Sequence, residues 1–264
     1  MIGLLRFFIR IWATVFCCFG MWIYAHILRF RHRRNPRASY LAISRAMSRW
    51  GYALAWIFGM KIRITGTPPK APFFLVSNHL SYTDILLLCA TCPGWFISKA
   101  EVARWPGIGP LTRVANTLFI DRETRRDVHR MNQLIADLVR DGGGVSFFPE
   151  GTTTDGTSVI PFKPSLLQPA IEHKIPVHVA AIAYETRPGC PPPEDLVAWF
   201  GVGANIGGHA FKLLQVRSFT AHVHFDEQTY TAEDRKTLAR ITHAAVSGLH
   251  TALRNQTRHA PDPA

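Results

Sequence analysis

The chain has 264 residues, 47% of them hydrophobic and only 18% charged, which suffices for one large α/β domain or a core domain with a small appendage. Its 30 Lys and Arg against 18 Asp and Glu give a formal charge of +12, a balance that suits a nucleic acid or an anionic membrane surface; joined to the apolar content it favours the membrane and sets nucleic acid aside. The five cysteines, an odd number with Cys17 and Cys18 adjacent, do not make a disulfide framework, and Cys89-x-x-Cys92 stands in an apolar stretch without a second pair at zinc spacing.

Residues 11–28 carry no formal charge at neutral pH, with His26 the single ionisable side chain apart from the thiols and Tyr24. A bilayer-spanning helix needs about 20 apolar residues. Arg6 and Arg10 precede the segment; Arg29, Arg31, Arg33 and Arg34 follow it. Basic flanks on both sides fit an interfacial or re-entrant helix whose arginines reach phosphate headgroups. A single span is the other reading, and it places the rest of the chain in the cytoplasm. The end of the segment does not resemble a cleavage site for a signal peptide. Residues 40–60 follow a helical period of apolar positions, interrupted by Arg45 and Arg49. They read equally as an interfacial helix or as one packed on the core.

Beyond Gly59 short β-branched and aromatic runs alternate with helical patterns. Residues 61–65, 73–77, 95–98, 117–120, 145–148 and 175–184 are expected as strands. Residues 125–140 and 232–253 are expected as helices, and 165–173 as a shorter one. Residues 191–193 and 201–208 read as loops. The fold class is therefore α/β: a mixed, largely parallel sheet flanked by helices, with an N-terminal membrane-associated helical segment. The domain plan is 1–60 for membrane-anchoring helices, 61–254 for the catalytic α/β domain and 255–264 for a disordered tail.

Sites in such folds collect beyond the carboxyl ends of the strands. Three polar clusters stand there: Asn78-His79, Asp121-Arg122 and Pro149-Glu150-Gly151-Thr152. His79 and Asp84 lie five residues apart, which on one regular helix diverges by about 140°. They meet only if His79 sits in the turn before the helix. Ser81-x-x-Asp84 ahead of an apolar run supplies that turn as a variant capping box, with Ser81 at the N-cap. Two readings then stand. Asp84 is a capping residue and His79 incidental, or the carboxylate fixes the imidazole tautomer and leaves Nε2 to take a proton from a hydroxyl.

These motifs together resemble the glycerophospholipid acyltransferase family, whose bacterial members include 1-acyl-sn-glycerol-3-phosphate (lysophosphatidic acid) acyltransferases. Asn78–Asp84 carries its His-x-x-x-x-Asp signature. Phe119-Ile120-Asp121-Arg122, Phe148-Pro149-Glu150-Gly151-Thr152 and Ile175-Pro176-Val177-His178-Val179-Ala180 resemble the next three, in order, over roughly residues 66–184. The resemblance implies His79 as general base and Asp84 as its orienter. It implies that Arg122 grips the acceptor phosphate, that Glu150, Gly151 and Thr152 line the acceptor site, and that Lys99 and Lys163 are weaker acceptor contacts. Val179 stands where the fourth signature often has a second proline, and Pro164-Ser165 follow Phe162-Lys163 where a small residue and Gly are usual.

The activity so implied is transfer of a fatty acyl group from acyl-carrier protein or acyl-CoA to the free hydroxyl of 1-acyl-sn-glycerol-3-phosphate, giving phosphatidic acid. Those donors are substrates, and no cofactor or metal is implied. The run Thr152-Thr153-Thr154-Asp155-Gly156 resembles branches that acylate other lyso-lipids, lyso-ornithine lipid among them. A non-catalytic membrane- or lipid-binding protein is the reading from another class. The expected partners are a membrane lipid acceptor and an anionic membrane surface, at the cytoplasmic face of the inner membrane.

Overall fold

The computed structural model describes residues 2–105, 109, 112–113, 116–121, 124–201 and 205–258. The N-terminus is a single helix, α1 (Ile2–Arg31), longer than expected at both ends. Its best 18-residue window has a mean hydropathy of 1.8, so it is long and apolar enough to cross a membrane. Met21, Ala25 and Leu28 form a buried stripe at helical spacing, while Ile9, Trp12, Phe16, Phe19 and Ile27 on the other faces are exposed. Helix α2 (Pro36–Phe58) starts where Asn35 Oδ1 accepts the Ala38 N–H at 3.0 Å, with Pro36 in its first turn, and ends at Gly59 in the left-handed region (φ 74°). Both readings of this helix survive, on opposite faces. Ile43, Met47, Leu54 and Ile57 pack into the core, whereas Tyr52 and Trp56 are exposed.

A seven-stranded sheet follows, in the order β1–β7–β6–β2–β5–β3–β4. Its strands are β1 (Met60–Thr65), β2 (Phe73–Ser77), β3 (Trp95–Lys99), β4 (Thr117–Ile120), β5 (Gly144–Phe147), β6 (Val177–Thr186) and β7 (Phe219–Tyr230). β6 and β7 pair antiparallel, and the other five pairings are parallel. The largely parallel sheet expected from the alternation of elements is thus present, joined to a reversed edge made by β7 and β1. β2 lies in the interior of the sheet and all five of its residues are buried, as a strand covered on both faces must be.

One hydrophobic cluster joins α1, α2 and α3 (Thr83–Thr91) to the face of the sheet that carries Leu75, Ile182 and Phe225. A second joins α4 (Arg125–Arg140) and α8 (Arg235–Arg258) to the opposite face through Phe74, Val76, Phe147 and Val179. α2 and α3 cross tightly at Gly51, where a Cβ would lie 2.5 Å from the Ala90 backbone N. Cys89 and Cys92 are free thiols buried in the first cluster, and that burial pushes both upward.

The helix expected at 165–173 is a 3-10 turn (Pro164–Leu167) running into α5 (Gln168–Glu172). Two stretches read as loops contain short helices, α6 (Pro193–Leu196) and α7 (Ile206–Leu213). β7 was not among the expected strands. α8 runs on to Arg258, so residues 255–258, expected in a disordered tail, are helical; residues 259–264 lie outside the described residues.

Candidate active site

The end of β2 delivers Asn78 and His79 to the edge of the sheet. Asn78 is buried and its side-chain amide continues the strand pairing with β6: Nδ2 donates to the Ile182 carbonyl at 2.9 Å and Oδ1 accepts the Ile182 N–H at 2.8 Å. The chain then turns, and α3 begins at Thr83. Asp84 lies in its first turn, fully buried, with Oδ2 accepting the backbone N–H groups of Leu80 at 2.7 Å and Ser81 at 2.9 Å. Only half of the expected capping box is thus present: the carboxylate reaches back, but the helix N-cap is Tyr82 rather than Ser81 and has no side-chain cap, the Ser81 hydroxyl standing 3.5 Å from the Thr83 N–H.

The same carboxylate oxygen meets His79 Nδ1 at 2.7 Å. A carboxylate only accepts, so the proton lies on Nδ1 and the lone pair on Nε2. Nε2 makes no hydrogen bond among the described residues, and the ring keeps 17% of its surface open. Its flat side stacks on Phe148 at 3.9 Å with the planes 6° apart, so Phe148 and Asp84 fix the ring in two directions. The second carboxylate oxygen, Oδ1, accepts the Tyr184 hydroxyl from β6 at 2.6 Å, and Tyr184 in turn accepts the Thr83 hydroxyl at 2.9 Å. Burial first, and the charge of Asp84 second, push the Tyr184 phenol well above 10, so it stays a donor at any working pH.

Glu150 follows β5. It is expected to line the acceptor site, and the structure places it beneath the catalytic turn. The side chain is fully buried, Oε1 accepts the His79 backbone N–H at 2.7 Å, and Oε2 accepts the Ile160 N–H at 3.1 Å. Both oxygens face backbone rather than open space. Burial raises the carboxyl to about 7, against the lowering effect of those two hydrogen bonds. The backbone around His79 has further clamps: the Thr154 N–H donates to the His79 carbonyl at 3.0 Å and the Trp199 N–H to the Leu80 carbonyl at 2.9 Å. Gly156 lets the same loop close on Leu80, since a Cβ there would come within 2.0 Å of Leu80 Cδ2.

The other expected contacts are dispersed. Gly151 is half-buried in the left-handed region (φ 77°) and Thr152 is exposed beside it. Lys99 ends β3 with its ammonium exposed, 3.8 Å from Glu101. Lys163 is exposed, and its backbone N–H donates to the Pro149 carbonyl. No hydrogen bond joins either ammonium to the His79–Asp84 pair among the described residues. Arg122 lies outside them. Next to it in sequence, Asp121, Thr124, Arg126, Asp127, His129 and Arg130 line an open hollow of about 570 Å³.

One flank of the site was not anticipated. Tyr82, in the turn between His79 and α3, meets His209 Nδ1 of α7 through its hydroxyl at 3.1 Å. Phe211, on the same helix, packs edge-on against Phe7 of α1 at 4.8 Å between ring centres, and Phe7 touches Phe8. Phe8 and Phe211 are both about half exposed. Arg6 and Arg10, expected to reach headgroups, donate instead to backbone carbonyls: Arg6 to Gln215 at 2.6 Å, Arg10 to Leu214, Val216 and Arg217. These carbonyls belong to residues 214–217, the link between α7 and β7. The apolar face of α1 is thereby fixed beside the segment that borders the catalytic turn.

The family model described as Acyltransferase matches residues 61–183. The chain is 36% identical over 231 residues to the lyso-ornithine lipid O-acyltransferase of Pseudomonas aeruginosa, covering 86% of this chain and 88% of that one. It is 32% identical to the 1-acyl-sn-glycerol-3-phosphate acyltransferase of Neisseria meningitidis serogroup B, over 55% of this chain and 58% of that one. The fold is that of the crystal structure of the 1-acyl-sn-glycerophosphate acyltransferase PlsC from Thermotoga maritima, with a TM-score of 0.63 at 21% identity and 94% coverage of each chain. The four ordered motifs, the sheet that assembles them and a full-length relative at this identity agree: the chain is an enzyme of the glycerophospholipid acyltransferase family.

Proposed function

We propose that the chain transfers a fatty acyl group from a thioester, acyl-CoA or acyl-carrier protein, to the free hydroxyl of a lyso-lipid at a membrane surface, with His79 as general base. The contact that carries this reading is His79 Nδ1 on Asp84 at 2.7 Å, with Nε2 making no hydrogen bond among the described residues. Nε2 takes the proton of the acceptor hydroxyl as its oxygen attacks the thioester carbonyl. The tetrahedral centre then collapses, the C–S bond breaks, and the proton passes from the imidazolium to the leaving thiolate. The transfer is direct, from thioester to alcohol, with no acyl group held on the protein. Asp84 holds the tautomer and stabilises the imidazolium. Glu150, Thr154 and Phe148 keep the ring from drifting, which matters because small misplacement of a base is costly in rate. Arg122 is proposed as an anchor for an acceptor phosphate, since a guanidinium fork suits phosphate oxygens. Gly151, Thr152, Lys99 and Lys163 are proposed as acceptor contacts at the rim.

Membrane association is indicated by the apolar α1 and by relatives that act on membrane lipids. We place α1 in the interface rather than across the bilayer. Contacts at Arg6, Arg10, Met21, Ala25 and Leu28 hold both halves of the helix to one domain, which supports a helix lying along the surface. The domain would then stand on the cytoplasmic face of the inner membrane.

For the acceptor, lysophosphatidic acid and lyso-ornithine lipid are the two candidates. The likeness to the lyso-ornithine lipid enzyme spans 86% of the chain, that to the Neisseria enzyme 55%, and this favours lyso-ornithine lipid. Purified enzyme incubated with each lyso-lipid and each thioester, followed by product mass analysis, decides it. Acylated lyso-ornithine lipid is expected as the main product. Phosphatidic acid as the main product would reverse the order, and no acylated lipid from any pairing would refute the activity.

A further inference from the structure

We infer that Tyr184 is a positioning residue for the catalytic pair, locking the Asp84 carboxylate through its second oxygen so that the first stays aimed at His79. The inference rests on the reading of His79 as base. A buried carboxylate that must orient an imidazole has two ways to fail: it can rotate about its own axis, or its charge can shift between its oxygens. Oδ2 is held by three donors, the N–H groups of Leu80 and Ser81 and His79 Nδ1. Those three share one atom and leave rotation about it open. Among the described residues Oδ1 has a single donor, the Tyr184 hydroxyl at 2.6 Å. That hydroxyl is itself aimed, because its lone pair accepts the Thr83 Oγ1 hydrogen at 2.9 Å, which leaves its own proton to Asp84. All three residues are buried, so no solvent competes for these bonds.

The sheet order explains why this residue serves. β6 lies beside β2, and Asn78 extends their pairing to Ile182. Two residues further along β6, on the same face, Tyr184 comes level with the first turn of α3. Its distance from His79 in sequence hides it from any local motif.

Among the described residues, the titratable groups around the pair and its tyrosine are Glu150 from the loop after β5 and Tyr82 from the turn before α3, with Asp155, Glu194 of α6 and His250 and Arg254 of α8 around a small cavity that Leu80 and Tyr184 also line. All of these are unchanged in a Thr83 variant, and Tyr184→Phe alters only the phenol itself. Removing the phenol hydroxyl concentrates the Asp84 charge on the oxygen facing the imidazole. That favours the imidazolium, so the base is lost at a higher pH than in wild type.

The test compares wild type, Tyr184→Phe, Thr83→Val and His79→Ala as full-length enzymes in detergent micelles, with an acyl-CoA and a lyso-lipid acceptor. Expected for Tyr184→Phe are a kcat lower by about tenfold, a KM within about twofold of wild type, and an acid limb of the kcat profile moved upward by roughly half to one pH unit. Thr83→Val, which leaves the hydroxyl in place but unaimed, should move the limb the same way by less. A purely structural Tyr184 would lower yield and thermal midpoint and leave limb and KM-to-kcat balance alone. Unchanged kcat and acid limb in Tyr184→Phe, with His79→Ala inactive, would overturn the positioning role alone. Full activity in His79→Ala would overturn the base assignment itself. If Tyr184→Phe does not fold, Thr83→Val decides: a limb at the wild-type position overturns the inference.

Discussion

Replacing Glu150 by Gln separates the two roles that can be argued for this residue. The wild-type carboxyl is fully buried and accepts two backbone N–H groups, one of them from His79. Burial raises it from an ordinary 4.5 to about 7, which corresponds to roughly 3–4 kcal/mol at about 1.4 kcal/mol per pH unit. The folded state therefore binds the proton more tightly than the unfolded chain. The stability held at low pH is lost as the pH rises from 4.5 through 7, and little more is lost above that. Gln does not titrate. It keeps one acceptor oxygen and turns an NH2 toward a backbone donor, a loss of about 1–3 kcal/mol at every pH. At pH 5 wild type should be the more stable by about that amount. At pH 8 the order should be level or reversed, a relative change of roughly 6 °C or more in thermal midpoint for a domain of this size. The assay is thermal unfolding of both proteins in the same detergent at pH 5 and pH 8. A difference that does not change with pH would refute the buried, proton-holding placement of Glu150, and an exposed acceptor contact would be restored in its place.

Asp84→Asn should keep the fold but lower kcat by roughly three to four orders of magnitude, because an amide can present its NH2 to Nδ1 and stabilise the wrong tautomer; loss of less than tenfold in steady-state kinetics would contradict the pairing. Asn78→Ala removes both hydrogen bonds to Ile182 and leaves that buried backbone unpaired, with an expected loss of about 2–4 kcal/mol in denaturant unfolding; a loss under about 0.5 kcal/mol would contradict the strand-extending role. Phe8→Ser with Phe211→Ser should weaken flotation with anionic vesicles while sparing turnover of a short-chain, water-soluble acceptor; unchanged flotation would remove these rings from the membrane face.

The elements legible in the sequence were those whose pattern is local. Residues 73–77, 117–120 and 125–140 carry clear β-branched and aromatic runs or a clean helical stripe, and they fold over those bounds. In β7 the alternation was present: Phe219, Ala221, Val223 and Phe225 point inward and Thr220, His222 and His224 outward. Small Ala and two histidines made the run look polar. α7 contains two glycines and little intrinsic helix propensity. The Asn205 cap, which accepts the Gly207 and Gly208 N–H groups, and the packing of Phe211 on Phe7 supply what propensity does not.

The same division runs through the site. His79 and Asp84 were found because a cap signal and a five-residue spacing lie in one stretch. Tyr184 depends on β6 settling beside β2, and the burial of Glu150 on a loop closing over Leu80, neither of which any short window contains. Arg6 and Arg10 looked like headgroup ligands because the carbonyls they satisfy are more than two hundred residues away.

The most direct measurement is the initial rate of acyl-lipid formation by purified wild-type and His79→Ala enzymes at equal vesicle-bound concentration, with the thioester saturating. His79→Ala should bind vesicles like wild type and form product at least a thousandfold more slowly, roughly the scale of losing a positioned base. Acyl-lipid formation by the vesicle-bound variant at a near-normal rate would contradict proton removal by His79.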